Sequence, residues 1–414
     1  MTRALSLAFA LLLLLLLAPL PLQAGKPELV RFGRFGEVRL YREAPDSARV
    51  TILLSGDAGW DAATVELARK LAKHDVLVIG VDARPYLKAI RASSGGCAYP
   101  AGELEGLSQF VQKKLARQGY FIPYLVGVSS GAAVARAALV QAPPNTFRGG
   151  LGLDDDFKLV LPQPFCKPHG SVSNPGATWH SVSAETLEAS FVALTSQEAP
   201  PRPALAADVS DLPLVEIAAT GAPADAFAVI LSGDGGWASL DREVGEVLAA
   251  RGIPVIGLDS LQYFWTRRTP DESANALERI LRHALAARPE SRAALIGYSR
   301  GADVLPFMVS RLPADLRKRV ALVALLGPAL SAGFEFHVSD WLGSPADSTE
   351  LPVTPEIAKL HGLRVLCVYG HDEPESACRE LDPALATRDE RPGDHHFDGD
   401  YAAIGARIAQ ALAR

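Results

Sequence analysis

The 414-residue sequence has no excess of basic residues: 41 lysine and arginine residues face 47 acidic ones, and the formal net charge is -6. Binding to nucleic acid relies on a basic surface, so this balance argues against nucleic acid as a partner. The 4 cysteines and 9 histidines include no Cys-x-x-Cys and no His-x-x-x-His spacing, which argues against a zinc site, and no cofactor is expected. Charged residues are only 21% and hydrophobic residues 48% of the chain, a composition ample for packed cores.

The longest apolar run lies at the N-terminus and falls short of the roughly 20 residues that span a bilayer. Ala4 to Pro19 is almost wholly apolar, includes seven consecutive leucines and follows a single basic residue, Arg3. This pattern predicts a secretory signal peptide over residues 1–24, cut after Ala24, with an uncleaved membrane anchor as the alternative. No cysteine follows the run, so a lipoprotein anchor is not expected.

Export changes the interpretation of the four cysteines. In an oxidising compartment Cys97, Cys166, Cys367 and Cys378 are expected to form disulfides rather than bind metal, with zinc as the alternative. Of three possible pairings we favour Cys97 with Cys166 and Cys367 with Cys378, since each closes a loop within one half of the chain. The second bridge closes a short loop and is expected to contribute about 3 kcal/mol.

The pentapeptide Gly297-Tyr298-Ser299-Arg300-Gly301 follows an apolar run and opens a helical stretch, Ala302 to Arg311. A Gly-x-Ser-x-Gly motif between a strand and a helix is typical of a sharp elbow that exposes a nucleophilic serine above a parallel sheet. The two glycines allow the strand and helix to approach closely, and the turn holds the serine in a strained conformation. The motif predicts a nucleophilic hydrolase, the alternative being an ordinary turn.

Candidates for the other two members of a catalytic triad follow in the expected order, acid and then histidine. A serine hydroxyl needs an imidazole to take its proton and a carboxylate to orient that ring. Glu373 lies three residues past the strand-ending Gly370 and is favoured as the acid, with Asp372 as the alternative. His395 is favoured as the base because it stands in a Gly-x-His-x-Phe context, with His396 as the alternative.

Two copies of one pattern indicate two domains. Thr51 to Trp60 returns as Val229 to Trp237, Val78 to Asp82 returns as Val255 to Asp259, and Gly127 to Gly131 matches the elbow. Each copy alternates apolar runs with helical stretches, which predicts an α/β fold of two tandem α/β-hydrolase-like domains with mainly parallel sheets. We expect a first domain over residues 25–198, a linker over 199–213 and a catalytic domain over 214–414.

The first copy is expected to be truncated or degenerate. After its own elbow it enters a stretch rich in Ser, Ala and Pro, Ser171 to Ser210, where no strand ending in an acid and no Gly-x-His-x-Phe is expected. The later histidines, His169 and His180, stand in no such context. Ser129 is therefore expected to lack a base, which would leave the first domain catalytically silent.

The loop Ser232 to Trp237 follows an early strand, where hydrolases place one donor of the oxyanion hole. Backbone amides of Asp234 or Gly235, together with that of Arg300 after the nucleophile, are the candidate donors. Losing one such donor typically costs about 3 kcal/mol of transition-state stabilisation. The alternative is a tight turn with a packing tryptophan.

The loop Ser232 to Trp237, the segment Gly297 to Asp303 and the segment His395 to Tyr401 together resemble the bacterial virulence proteins AcvB and VirJ, the two-domain AcvB type more closely. The resemblance implies a periplasmic α/β-hydrolase-like protein. For the AcvB type it also implies hydrolysis of aminoacylated phosphatidylglycerol, lysyl-phosphatidylglycerol in particular. For the VirJ type it implies a link to type IV secretion and virulence.

A lipid headgroup at the membrane surface is therefore the expected substrate. A cationic lysyl group would suit a pocket near Asp234, Asp259 or Asp303, each of which otherwise caps a helix or turn. Trp237 is a further candidate substrate contact, and the Arg300 side chain is a candidate to bind the phosphate of the lipid headgroup.

Two other functions stay open. One is a non-enzymatic periplasmic adaptor that binds secreted proteins or a secretion system, and the other is a general carboxylesterase or thioesterase. The aromatic segment Tyr263-Phe264-Trp265 is expected to form an apolar entrance for acyl chains or to pack.

Overall fold

The computed structural model describes residues 27–93, 96–156, 159–167, 177–196, 208–337 and 349–413. They form two α/β units, each built on a seven-stranded, mainly parallel sheet, which confirms the predicted fold class. The predicted signal peptide and most of the predicted linker lie outside these residues. Across the described part of the chain, no helix has the length and apolar character needed to cross a membrane.

The first unit begins with two antiparallel strands and then alternates strands with helices. Its elements are β1 (Glu28–Phe32), β2 (Gly36–Tyr41), β3 (Arg49–Leu54), α1 (Ala62–Ala72), β4 (Val76–Val81), α2 (Ala83–Ala92), α3 (Pro100–Lys114), β5 (Tyr124–Val128), α4 (Ser130–Gln141), β6 (Gly149–Leu153), β7 (Thr178–Val182) and α5 (Leu187–Ser196).

The second unit repeats this alternation. Its elements are β8 (Leu214–Ile217), β9 (Ala226–Leu231), α6 (Ser239–Ala249), β10 (Val255–Leu258), α7 (Ser260–Tyr263), α8 (Pro270–Ala287), β11 (Arg292–Tyr298), α9 (Arg300–Ser310), α10 (Ala314–Arg317), β12 (Val320–Leu326), β13 (Ser331–Ala332), β14 (Leu351–Pro352), α11 (Val353–Ala358), β15 (Val365–Gly370), β16 (Thr387–Arg391) and α12 (Tyr401–Leu412). Val209 and Leu212, at the end of the predicted linker, are buried in the core of this unit.

The two sheets share the topology of six strands, and each adds one edge strand, β1 or β16, that has no counterpart in the other sheet. The strand orders are β1-β2-β4-β3-β5-β6-β7 and β16-β15-β12-β11-β9-β10-β8. The central strands are continuous apolar runs, such as Val76–Val81, in which every residue is buried, because helices cover both faces of the sheet. Since β9 and β11 pair in parallel, the loop after β9 and the elbow after β11 meet at the same edge.

The first unit is less degenerate than expected. Its stretch rich in Ser, Ala and Pro contains β7, which pairs in parallel with β6 as β15 pairs with β12. Glu185 stands three residues beyond the end of β7, the same offset that separates Glu373 from Gly370. Within the first unit's described residues, α5 then follows β7 directly, so the segment that holds β16 and the two histidines has no counterpart there.

Both predicted disulfides are present. Cys97 bonds Cys166, and Cys367 bonds Cys378, which confirms the favoured pairing. The second bridge joins β15 to a short 3₁₀ helix, Ala377–Glu380. It therefore fixes both ends of the loop that holds Glu373.

Replacing Cys367 and Cys378 together by alanine is expected to lower the free energy of unfolding by about 2–4 kcal/mol, because the bridge restricts the unfolded chain. Both side chains are fully buried, so part of the loss comes from packing. Denaturant unfolding followed by circular dichroism measures the change. An unfolding midpoint equal to that of the wild type would contradict the prediction.

The two units are in direct contact. The indole Nε1 of Trp265 donates to the Arg117 carbonyl over 2.8 Å, and the Asn145 amide donates to the Trp237 carbonyl over 2.9 Å. Trp265 also packs with Tyr120 in an apolar cluster between the units. The aromatic segment of the second unit is therefore buried as packing and does not form an entrance for acyl chains.

Candidate active site

Ser299 occupies the sharp turn between β11 and α9. Its backbone has φ 53° and ψ -124°, a conformation that is strained for a residue with a side chain. A Cβ on Gly297 would lie 2.3 Å from the Gly301 carbonyl oxygen, and one on Gly301 would lie 2.2 Å from the Leu231 carbonyl oxygen. Both glycines are therefore sterically required, as the sequence motif predicts.

Glu373 and His395 form a hydrogen-bonded pair. His395 Nδ1 and Glu373 Oε1 are 2.5 Å apart, and the Gly370 amide donates to the other carboxylate oxygen over 3.2 Å. Burial alone would lower the pKa of His395, but the hydrogen bond and charge of Glu373, with Asp303 and Asp234, raise the pKa above its usual value. The carboxylate thus fixes the ring orientation and leaves Nε2 for a second partner.

His395 lies over the elbow. Its ring stacks on that of Tyr298, the neighbour of Ser299, with centroids 5.3 Å apart and planes 25° apart. Ser299 and His395 line one cavity. Of the contacts made by the described residues, none is a hydrogen bond between Ser299 Oγ and the His395 ring, a contact that is often long before substrate binds.

Of the two alternatives, His396 lines the same cavity as His395, and Asp372 does not. Asp372 is exposed, and its amide donates to the Gly393 carbonyl. His396 Nδ1 is 3.0 Å from the Tyr298 hydroxyl. The structure therefore brings together Glu373 and His395, and leaves Asp372 outside the cavity.

The loop after β9 lies against the serine. A Cβ on Gly233 would be 3.2 Å from the Ser299 Cβ, and the loop closes with a hydrogen bond from the Gly236 amide to the Gly233 carbonyl over 3.1 Å. Asp234 and Gly235 line the cavity beside Ser299. Their amides and that of Arg300, at the start of α9, remain the candidate donors of an oxyanion hole.

The Arg300 side chain has a role that the sequence does not reveal. It forms an ion pair with Asp234 and donates from Nη1 to the Gly333 and Glu335 carbonyls over 3.0 and 3.1 Å. This side chain is buried and points into contacts with the protein rather than lining the cavity. Arg300 therefore holds the loop around Asp234 in place, and the phosphate contact expected for it is not part of the site.

Three other expected substrate contacts are not among the residues that line the cavity. Trp237 is a core residue packed on Gly257, where a Cβ would come within 2.1 Å of its ring, so its assignment as a substrate contact is corrected to packing. Asp303 accepts from the Ala329 amide over 2.7 Å, and burial raises its pKa to about 7. Asp259 caps α7 through the Gln262 amide.

The cavity over Ser299 has a volume of about 600 Å³ and walls from both units. The second unit contributes the loop Gly233–Gly236, the start of α6, and the elbow with His395. The first unit contributes the opposite wall through Tyr99 and Glu105 of the α3 region. The sequence motifs give no indication of this wall.

The first unit keeps an elbow without a base. Ser129 has φ 47° and ψ -116° and lines a cavity of about 560 Å³ that also holds Glu185. No histidine is among the residues lining that cavity in the described part of the unit, and His180 instead bonds the Thr178 hydroxyl. His169 lies outside the described residues. The geometry agrees with a silent first unit.

A search of curated proteins found no match. Among solved structures, the chain is similar to the esterase Est1E from Butyrivibrio proteoclasticus, at 15% identity over 49% of this chain and 94% of that one, with a TM-score of 0.35. It is similar to the esterase domain of a Rhodothermus marinus protein, at 16% identity over 49% of this chain and 92% of that one, with a TM-score of 0.35. It is also similar to a Pyrococcus furiosus esterase, at 16% identity over 53% of this chain and 97% of that one, with a TM-score of 0.35.

The family described as bacterial virulence protein (VirJ) matches residues 48–148 and 225–414. These ranges include both elbows, the loop after β9, and the pair Glu373 and His395. The chain therefore belongs to the VirJ family of bacterial virulence proteins.

Proposed function

We propose that the protein is a serine hydrolase that cleaves ester bonds, with Ser299 as nucleophile, His395 as base and Glu373 as the acid that orients the base. The observation that supports this most directly is a strained serine that shares one cavity with a histidine, whose ring is hydrogen-bonded on its other side to the carboxylate of Glu373. A strained elbow is retained where the serine must be exposed and pre-positioned.

In the proposed reaction, His395 Nε2 takes the proton of Ser299 Oγ as that oxygen attacks the ester carbonyl carbon. Amides of the Asp234–Gly235 loop and of Arg300 stabilise the oxyanion. Collapse of the tetrahedral intermediate breaks the carbon–oxygen bond to the alcohol, which leaves with the proton from His395. Water then attacks the acyl-enzyme with the same base, which releases the carboxylic acid and restores Ser299.

As substrate we propose an aminoacyl ester of phosphatidylglycerol, of the lysyl type, cleaved in the periplasm at the outer face of the inner membrane. Supporting this choice, the cavity has no lysine or arginine among its described lining residues and contains three acidic ones, Glu105, Asp234 and Asp241. Such a cavity suits a cationic acyl group. The products would be free amino acid and phosphatidylglycerol.

Covalent labelling with a fluorophosphonate probe, followed by peptide mass spectrometry, tests the mechanism. We expect phosphonylation of Ser299, because His395 activates it, and none of Ser129. Labelling of neither serine would favour the non-enzymatic adaptor, whose secreted or secretion-system partners a pull-down would then identify.

A substrate comparison tests the proposed lipid. We expect release of lysine from lysyl-phosphatidylglycerol in mixed micelles with a kcat/KM at least tenfold above that for p-nitrophenyl butyrate. The reverse preference, with Ser299 labelled, would retain the hydrolase and identify a general carboxylesterase.

A further inference from the structure

Two carboxyl groups face the cavity from opposite units. Glu105 lies on α3 of the first unit, and Asp241 lies in the first turn of α6 of the second. Both residues line the cavity that holds Ser299. Their relative exposures are only 7% and 1%, so each carboxyl group is held away from bulk water.

Neither carboxyl group has a cationic partner among the residues that the structure describes. Among the described residues, burial is the one influence on the Glu105 carboxyl group, with no hydrogen-bond or charge partner, and Asp241 Oδ1 is buried without a hydrogen-bond partner. The second oxygen of Asp241 accepts only a long bond, 3.4 Å, from the Ala238 amide. Burying a carboxylate without a partner costs several kcal/mol, so such groups are retained where a ligand supplies the missing charge.

Two other acids near Ser299 already have basic partners. Asp234 pairs with Arg300, and Glu373 pairs with His395. Burial raises the pKa of Glu105 to about 8 and raises that of Asp241 well above its usual value. A cation placed between the two would stabilise the ionised form of both.

Tyrosines line the same cavity as these groups and the elbow: Tyr99 from the first unit, and Tyr298 and Tyr401 from the second. Burial and the neighbouring Glu105 and Tyr401 raise the pKa of Tyr99 to about 12. Burial, Tyr401 and Asp241 likewise raise the pKa of Tyr298, next to Ser299. The two acids therefore belong to the cavity that would hold the acyl group of a substrate.

We propose that Glu105 and Asp241 form a binding site for the ammonium groups of an aminoacyl substrate, and that the first unit acts as a specificity wall of the catalytic cavity. The proposal rests on the proposed function for its substrate but makes a separate claim about binding. It explains why the first unit, in which no described histidine lines the cavity at Ser129, is held against the active site.

Calorimetric titration with lysinamide, a stable dicationic probe, tests the site in the full chain without turnover. We expect the dissociation constant of lysinamide to rise at least tenfold in Glu105→Gln and in Asp241→Asn, because each removes a desolvated charge partner. Uncharged hexanamide should bind none of the variants measurably. Glu246→Gln, which removes an exposed carboxyl group from the same helix as Asp241, should leave lysinamide affinity unchanged.

Thermal unfolding separates a binding role from a structural one. Neutralising an unpaired buried acid should leave the melting temperature of Glu105→Gln equal to or above that of the wild type. The proposal would be overturned if both cavity variants bound lysinamide with the affinity of the wild type. It would also be overturned if affinity fell only in variants whose melting temperature fell as well. Failure of the proposed substrate would appear separately, as tight lysinamide binding without cleavage of lysyl-phosphatidylglycerol.

Discussion

Replacing Ser299 by alanine is expected to lower kcat/KM for ester hydrolysis by roughly 10⁴- to 10⁶-fold, with little change in folding. The loss is large because the covalent step disappears, while the oxyanion donors and the cavity retain only a residual effect. The turn geometry tolerates the substitution, since alanine also has a Cβ at the strained φ of 53°. Lysine release from lysyl-phosphatidylglycerol, or p-nitrophenol release from a soluble ester, measures the change.

Ser129→Ala is the matched control. Ser129 occupies an equivalent elbow with φ 47°, but no histidine accompanies it among the described residues that line its cavity. Its substitution should therefore change kcat/KM by less than twofold. Comparable losses in the two variants would show that the first unit is catalytic, and retained activity in Ser299→Ala would remove Ser299 as the nucleophile.

The parts of the site that the sequence predicts are those set by local geometry. The elbow requires glycine at positions 297 and 301 because backbone atoms occupy the space that a side chain would need. The pentapeptide Gly297 to Gly301 is therefore enough to predict the elbow. The internal repeat predicts two sheets because the spacing of apolar residues differs between strands and helices and can be followed through both copies. The disulfide pairing follows from loop closure within each half.

The cavity wall from the first unit could not be predicted in this way, since contact between two units leaves no local pattern in either. Helix α3 does bear one indirect sign: Glu105, Ser108, Gln109 and Gln112 are all buried at helical spacing. A row of polar residues without lysine or arginine on one face of a helix indicates that this face packs against another part of the protein. The row does not identify that other part. The role of Arg300 was missed for the same reason, because its carbonyl partners lie 33 and 35 residues away.

Replacing Glu373 by glutamine is expected to lower kcat by about 10³- to 10⁴-fold, because the amide can hold His395 in the wrong tautomer and does not stabilise its cation. The pH dependence should change as well. The base works only when neutral, so activity is lost as pH falls through the pKa of His395. Glu373 raises that pKa, and its neutralisation should move the acidic limb of kcat/KM to lower pH.

Asp372→Asn separates the two adjacent carboxyl groups. Asp372 is exposed and lies outside the cavity, so its substitution should leave both kcat and the acidic limb close to those of the wild type. Equal losses in the two variants would mean that the loop, rather than one carboxylate, orients the base. Glu373→Gln could instead lower kcat and leave the acidic limb of kcat/KM at the pH of the wild type. That result would show that His395 is not the titrating base, because removing the charge beside its ring should lower its pKa as well as the rate.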